Sequence, residues 1–264
     1  MIPPRGPSPS RPTIRQRCLG WCVHCYTALG LVAAAAIAVL LVDGKPASFR
    51  QAFLLMLIAT LIDATDGTFA RRIRIKEVLP GFDGRRLDDL IDFLTYTCLP
   101  LMLIWRAHLL PEGWAICLLL PLLASAYGFC QVSVKTDDGY FLGFPSYWNL
   151  VAFYVYTLQP LPGWFTLGVV VVFALLTFVP SRYLYPSQRG RLNQVTNLLA
   201  VLWVASLVWI LYRLGSVDPA EPALREIALL SLIFPGYYFV ASWVVSLRLW
   251  RRKRRRLREG SLAV

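Results

Sequence analysis

The chain has 264 residues, of which 57% are apolar and only 16% charged, and its mean hydropathy is +0.55. Soluble domains average about a quarter charged residues, so a soluble globular fold is excluded and most of the chain must span a membrane. The net charge of +12 would suit a nucleic-acid partner, but its distribution follows membrane topology instead.

Residues 1–22 form a basic, Pro- and Arg-rich segment with no secretory signal peptide to remove. The membrane domain is expected over 23–247 and a basic tail over 248–264. Within the domain, apolar runs occupy roughly 24–42, 49–70, 87–110, 113–134, 146–160, 163–180, 192–213 and 224–247. Spans in lipid are helical because nothing else satisfies their backbone hydrogen bonds. The expected fold is therefore an all-α polytopic bundle of about eight transmembrane helices.

Lysine and arginine set the orientation. With the N-terminus inside, 22 of the 27 basic residues face the cytoplasm and 5 (Lys45, Arg50, Arg106, Arg213, Arg225) face outward. Both termini are then cytoplasmic. The tail "RRKRRRLRE" is an orientation anchor on anionic lipid headgroups, worth about 1 kcal/mol per basic residue. It lacks the interleaved aromatics that nucleic-acid binding would use. Six cysteines lie in or beside apolar runs and read as small packing residues. Cys22 and Cys25 have CxxC spacing, but no second Cys/His pair completes a zinc site.

The informative stretch is 63–92, "DATDGTFARRIRIKEVLPGFDGRRLDDLID". An Asp at mid-membrane costs about 2.5–3.5 kcal/mol, less near the surface, so acids here are functional candidates. Asp63 and Asp66 are spaced i, i+3 with Ala70 on the same stripe; Asp88 and Asp92 are spaced i, i+4 with Gly84 one turn earlier. If these two helices are neighbours, four carboxylates converge and require cations; their hard oxygens select Mg²⁺ or Mn²⁺. Gly67 and Gly84 let a ligand approach the backbone, and Arg71 suits a phosphate. The plainer reading pairs these acids with Arg71, Arg72, Arg85 and Arg86 as interfacial charges. It fits Asp89 best, since that residue points about 100° away from Asp88.

These residues resemble the CDP-alcohol phosphotransferase signature D-x-x-D-G-x-x-A-R…G-x-x-x-D-x-x-x-D, matched at Asp63, Asp66, Gly67, Ala70, Arg71, Gly84, Asp88 and Asp92. Twelve residues separate Arg71 from Gly84, a longer spacing than most of the family has and the form of its choline-using bacterial branch. The stretches "VHCYTALG" (23–30), "RIKEVLPGFDG" (74–84), "FCQVSVKTDDGYFLGFPSYWNLVAFY" (129–154) and "FVPSRYLYPS" (178–187) are similar to that branch as well.

The resemblance implies transfer of the phosphatidyl group from CDP-diacylglycerol to choline with release of CMP, at the cytoplasmic face of a bacterial inner membrane. It implies Asp63, Asp66 and Asp88 as metal ligands, and Asp92 as the general base that also touches a metal. Gly67, Ala70, Arg71 and Gly84 would receive the cytidine nucleotide. Two Mn²⁺ or Mg²⁺ ions would neutralise the diphosphate, and a homodimer is common in the family.

Choline's quaternary ammonium would favour aromatic faces, for which Tyr147, Trp148, Tyr154, Tyr156 and Tyr183 are the candidates, against an ordinary aromatic membrane belt. Tyr183, Arg182 and Arg189 read equally well as residues of the cytoplasmic mouth and as topology signals, while Asp137-Asp138-Gly139 reads as a turn. His24 and His108 fall at opposite membrane faces, so they are not a catalytic pair. A sister enzyme using serine, inositol or glycerol phosphate is the alternative. A cation transporter would need acids spread through the membrane depth, whereas these cluster at one face.

Overall fold

The computed structural model describes residues 12–131, 141–183, 191–214 and 221–261. The Asp137-Asp138-Gly139 turn and Arg189 lie outside them. Helix α1 (Ile14–Asp43) starts at a capping box in which Thr13 and Gln16 satisfy each other's exposed amides. It ends at Gly44, whose φ of 68° closes the helix in the left-handed region. Helix α2 (Pro46–Arg72) follows, with Pro46 in its first turn.

The twelve-residue connection after Arg71 contains a single turn, α3 (Ile75–Val78), and Asp83, which caps α4 (Gly84–Asp92) by accepting from the amides of Arg85 and Arg86. Helix α4 runs into a π-helical turn (Phe93–Cys98) and then α5 (Leu99–Arg106). Pro100, just beyond the wide turn, has no N–H to give the carbonyl four residues back. A 3₁₀ turn (Ala115–Leu118), α6 (Leu119–Cys130), α7 (Trp148–Thr157), α8 (Gly163–Leu176), α9 (Arg191–Arg213), α10 (Pro222–Ser231) and α11 (Ile233–Ser261) complete the helices.

Each apolar run overlaps helical segments, and among the described residues four segments are long and apolar enough to cross a membrane: α1, α2, Gln194–Arg213 and Pro222–Arg251. The chain is an integral membrane protein. Helix α7, by contrast, has ten residues and reaches only about 15 Å, half a hydrocarbon core. One feature departs from the all-helical expectation. Two-residue strands β1 (Phe141–Leu142) and β2 (Arg182–Tyr183) pair antiparallel, tying the connection before α7 to the one before α9.

Helix α1 is the organising wall. Its buried positions Gly20, His24, Thr27, Gly30, Ala34, Ile37 and Leu41 recur every three or four residues and form one stripe. That stripe packs along α2 and against α4. A Cβ at Gly20 would lie 2.7 Å from Leu79, and one at Gly30 2.7 Å from Ile91, so small residues let α3 and α4 close on α1. The deep core joins Ile37 and Leu41 to Ala52, Leu103, Ile104, Trp148, Val170, Ile210 and Leu224.

At the far end of α1, Arg106 donates to the carbonyls of Leu41 (3.0 Å) and Val42 (3.1 Å) and lies against Gly44. A cation at a helix C-terminus satisfies carbonyls that have no partner within the helix. Arg106→Ala is expected to lower the thermal unfolding midpoint in detergent, with a cost on the order of 1–2 kcal/mol. Arg106→Lys should recover only part of it, because one ammonium does not fork across two carbonyls. An unchanged midpoint for the alanine variant would contradict this role.

Candidate active site

Asp63 comes from α2, and Asp88 and Asp92 from α4. One carboxylate oxygen from each lies within 4.8 Å of the others, and all three residues are half-buried. The i, i+4 spacing on α4 aims Asp88 and Asp92 in one direction, and the α1 wall brings α2 opposite them. The group can hold a cation. If these carboxylates drew together around it, they would hold a hard divalent cation such as Mg²⁺ or Mn²⁺, which would offset their mutual repulsion. Among the described residues this is the acidic group suited to a metal, and its donors are all hard oxygens.

Asp66, expected in the same constellation, is placed differently in detail. It is only 5% exposed, and it accepts a 2.7 Å hydrogen bond from the hydroxyl of Thr27 on α1. Asp63 likewise has a partner: the hydroxyl of Tyr96, in the π-helical turn, donates to it at 2.7 Å. Such hydrogen bonds fix carboxylate orientation around a metal site and tune its affinity. Neither Thr27 nor Tyr96 was legible as a site residue. Thr27 is 39 residues from Asp66, and Tyr96 is 33 from Asp63.

Two of the nearby arginines pair with acids outside this group. Arg85 pairs with Asp89 at 3.9 Å and Arg86 with Asp83 at 3.2 Å, both at exposed positions. Asp89 is thus the ion-pair partner of Arg85. Arg71 is exposed, bonds the hydroxyl of Thr68 at 3.1 Å, and lies 3.1 Å from where a Cβ at Gly67 would be. Gly67 therefore faces only the movable tip of Arg71. Beside Ala70 and Arg71, a basic pocket of about 280 Å³ is lined by Arg74 and Lys76 as well. Gly84 is different, since a Cβ there would strike the imidazole of His24.

The aromatic candidates separate into two sets. Trp148 is fully buried and donates to Ser125 at 2.8 Å. Tyr154 bonds Ser231 and receives the indole N–H of Trp203 at 2.8 Å. Tyr156 packs edge-on against Phe49, with its ring also against Phe53. These three belong to the core. Tyr147, by contrast, is 37% exposed, and its ring lies 6.1 Å from that of Tyr96. Tyr183 is buried and stacks on Tyr238 at 6.2 Å. The six cysteines are free thiols, so Cys22 and Cys25 form no disulfide.

No protein-family model matches the chain. It is 38% identical to the phosphatidylcholine synthase of Pseudomonas aeruginosa over 237 residues, 89% of this chain and 92% of that protein. The phosphatidylcholine synthase of Bradyrhizobium diazoefficiens is 35% identical, covering 78% of this chain and 77% of its own length. That of Legionella pneumophila is 34% identical, covering 75% and 76%. With the complete eight-position signature carried on α2 and α4, and with this similarity along most of its length, the chain belongs to the phosphatidylcholine synthase family.

Proposed function

We propose that this enzyme transfers the phosphatidyl group of CDP-diacylglycerol to choline, giving phosphatidylcholine and CMP. The observation that carries the reading is the convergence of Asp63, Asp88 and Asp92 on a signature frame otherwise filled at every position. The reaction forms a bond from the choline oxygen to the phosphorus bearing the diacylglycerol. It breaks the bond from that phosphorus to the oxygen that leaves with CMP. The choline hydroxyl is a weak nucleophile, and Asp92 accepts its proton. Divalent ions, Mn²⁺ or Mg²⁺ and two per site, would supply charge neutralisation for the diphosphate when held by Asp63, Asp66, Asp88 and Asp92.

The remaining residues bind and orient. Gly67, Ala70, Arg71 and Gly84 receive the nucleotide, with Arg71 directed at phosphate. Tyr96 and Thr27 hold Asp63 and Asp66 in place. The ammonium of choline lies against Tyr147, whose ring adjoins Tyr96 and hence Asp63. Tyr183 and Tyr238 extend the same aromatic wall. The membrane domain, 23–247, is read as eight spans with both termini and the acidic site at the cytoplasmic side of the inner membrane, where nucleotide and choline arrive while the acyl chains stay in lipid. The 22-to-5 basic-residue asymmetry supports that orientation.

The test is purified protein with CDP-diacylglycerol and Mn²⁺, offered choline, serine, inositol or glycerol phosphate separately. CMP release with choline alone is expected; release with another alcohol and not with choline would overturn the acceptor assignment. Tyr147→Leu is expected to raise the KM for choline roughly tenfold, the scale of a desolvated cation–π contact, with little change in the KM for CDP-diacylglycerol. Equal changes in both constants would remove Tyr147 from the choline site.

A further inference from the structure

His24 has no part in the roles assigned so far. It is 5% exposed, and its Nε2 has no hydrogen-bond partner among the described residues. Buried imidazole nitrogens are normally paired, and an unmet one is costly unless something supplies the partner. Its surroundings are built around it. Gly84 leaves room for the ring where any larger residue would collide with it. Phe82 packs against it with ring centroids 4.4 Å apart, and Trp21 closes the trio at 5.9 Å from His24 and 5.2 Å from Phe82.

Its position along α1 gives this meaning. His24 is one turn before Thr27, the partner of Asp66, on the stripe that faces α2 and α4. Gly84, against which it lies, is one turn before Asp88. His24 therefore stands about one helical turn nearer than Asp88 to the end where α1 and α4 begin. Tyr96 and Tyr147, the pair proposed above for choline, belong instead to the π-helical turn and the start of α7.

We propose that His24 is a nucleotide-binding residue whose Nε2–H donates a hydrogen bond to the CMP half of the lipid-linked substrate, with Gly84 and Phe82 holding the imidazole for that contact. Gly84 then serves this chain as the space that admits His24, besides any approach of ligand to its backbone. The proposal rests on the transfer reaction above for the identity of the nucleotide.

CMP itself is the probe, titrated calorimetrically into the purified full-length protein at saturating Mn²⁺. His24→Phe retains a ring against Gly84 and Phe82 but has no Nε2, and is expected to weaken CMP binding about tenfold or more, the scale of a hydrogen bond to a charged group. His24→Gln, whose amide nitrogen can reach the Nε2 position, should recover much of the loss. The KM for choline should change less than twofold in both. His24→Leu is measured beside them, so that one misfolded variant does not decide the result. If either folded apolar variant binds CMP as the wild type does, His24 is only a packing wedge and the proposal is wrong. A wild-type protein that binds no CMP would overturn the transfer reading and this inference together.

Discussion

Asp92→Asn is expected to reduce CMP release from CDP-diacylglycerol and choline by about a hundredfold to ten-thousandfold, the usual contribution of a positioned general base. The substitution keeps the shape of the side chain and removes its basicity. Asp92 closes α4 immediately before the π-helical turn, one helical turn from Asp88 and across from Asp63. A hydroxyl held near this group loses its proton to the carboxylate nearest the attacking oxygen, and an amide cannot accept it. Circular dichroism and a monodisperse elution profile should match the wild type, because Asn fits the same half-buried position. The Mn²⁺ titration separates the two possible roles. A base that is lost while Mn²⁺ affinity falls only several-fold identifies proton transfer as its main task. Turnover within tenfold of the wild type would remove Asp92 from that role.

The second large effect is expected at the acidic group proposed to hold the cation. Asp63→Asn should lower Mn²⁺ affinity at least about a hundredfold, read as free Mn²⁺ by paramagnetic resonance. It removes one anionic donor of a converging three and leaves a neutral oxygen, which hard divalent ions bind far more weakly. Tyr96→Phe tests the layer behind it. Loss of the 2.7 Å bond from Tyr96 to Asp63 should weaken Mn²⁺ binding roughly tenfold to a hundredfold, as outer hydrogen-bond partners of metal ligands do. A Tyr96→Phe variant with wild-type affinity would mean that Asp63 is oriented by the helix alone. Substitution of the ion-paired Asp89 by Asn should leave Mn²⁺ affinity nearly unchanged, since an exposed pair contributes little.

The acids show what periodicity conveys. Spacing of i, i+3 and i, i+4 puts Asp63 with Asp66 and Asp88 with Asp92 on common faces whatever the rest of the chain does, because 3.6 residues per turn is a local property. The apolar runs were legible for a similar reason: hydrophobic length is set by the bilayer. Direction around a helix, however, says nothing about which neighbour stands opposite. Asp66 shares a face with Asp63, yet it is buried against Thr27 while Asp63 joins the α4 acids. The tyrosines make the same point. Aromatic content placed all five candidates together, but packing sent Trp148, Tyr154 and Tyr156 into the core and left Tyr147 beside Tyr96.

The amino-acid sequence alone determined a helical membrane protein, the shared faces of Asp63 with Asp66 and of Asp88 with Asp92, and the family signature they spell, since each depends on composition or on separations within one helix or across one short connection. Tertiary structure decided that α1 is the third wall of the site, with Thr27 on Asp66 and His24 against Gly84, and that Tyr96 steadies Asp63. These are contacts between residues 33 to 60 positions apart. Their geometry comes from how small residues such as Gly20 and Gly30 let helices approach, a three-dimensional fit that linear spacing does not encode.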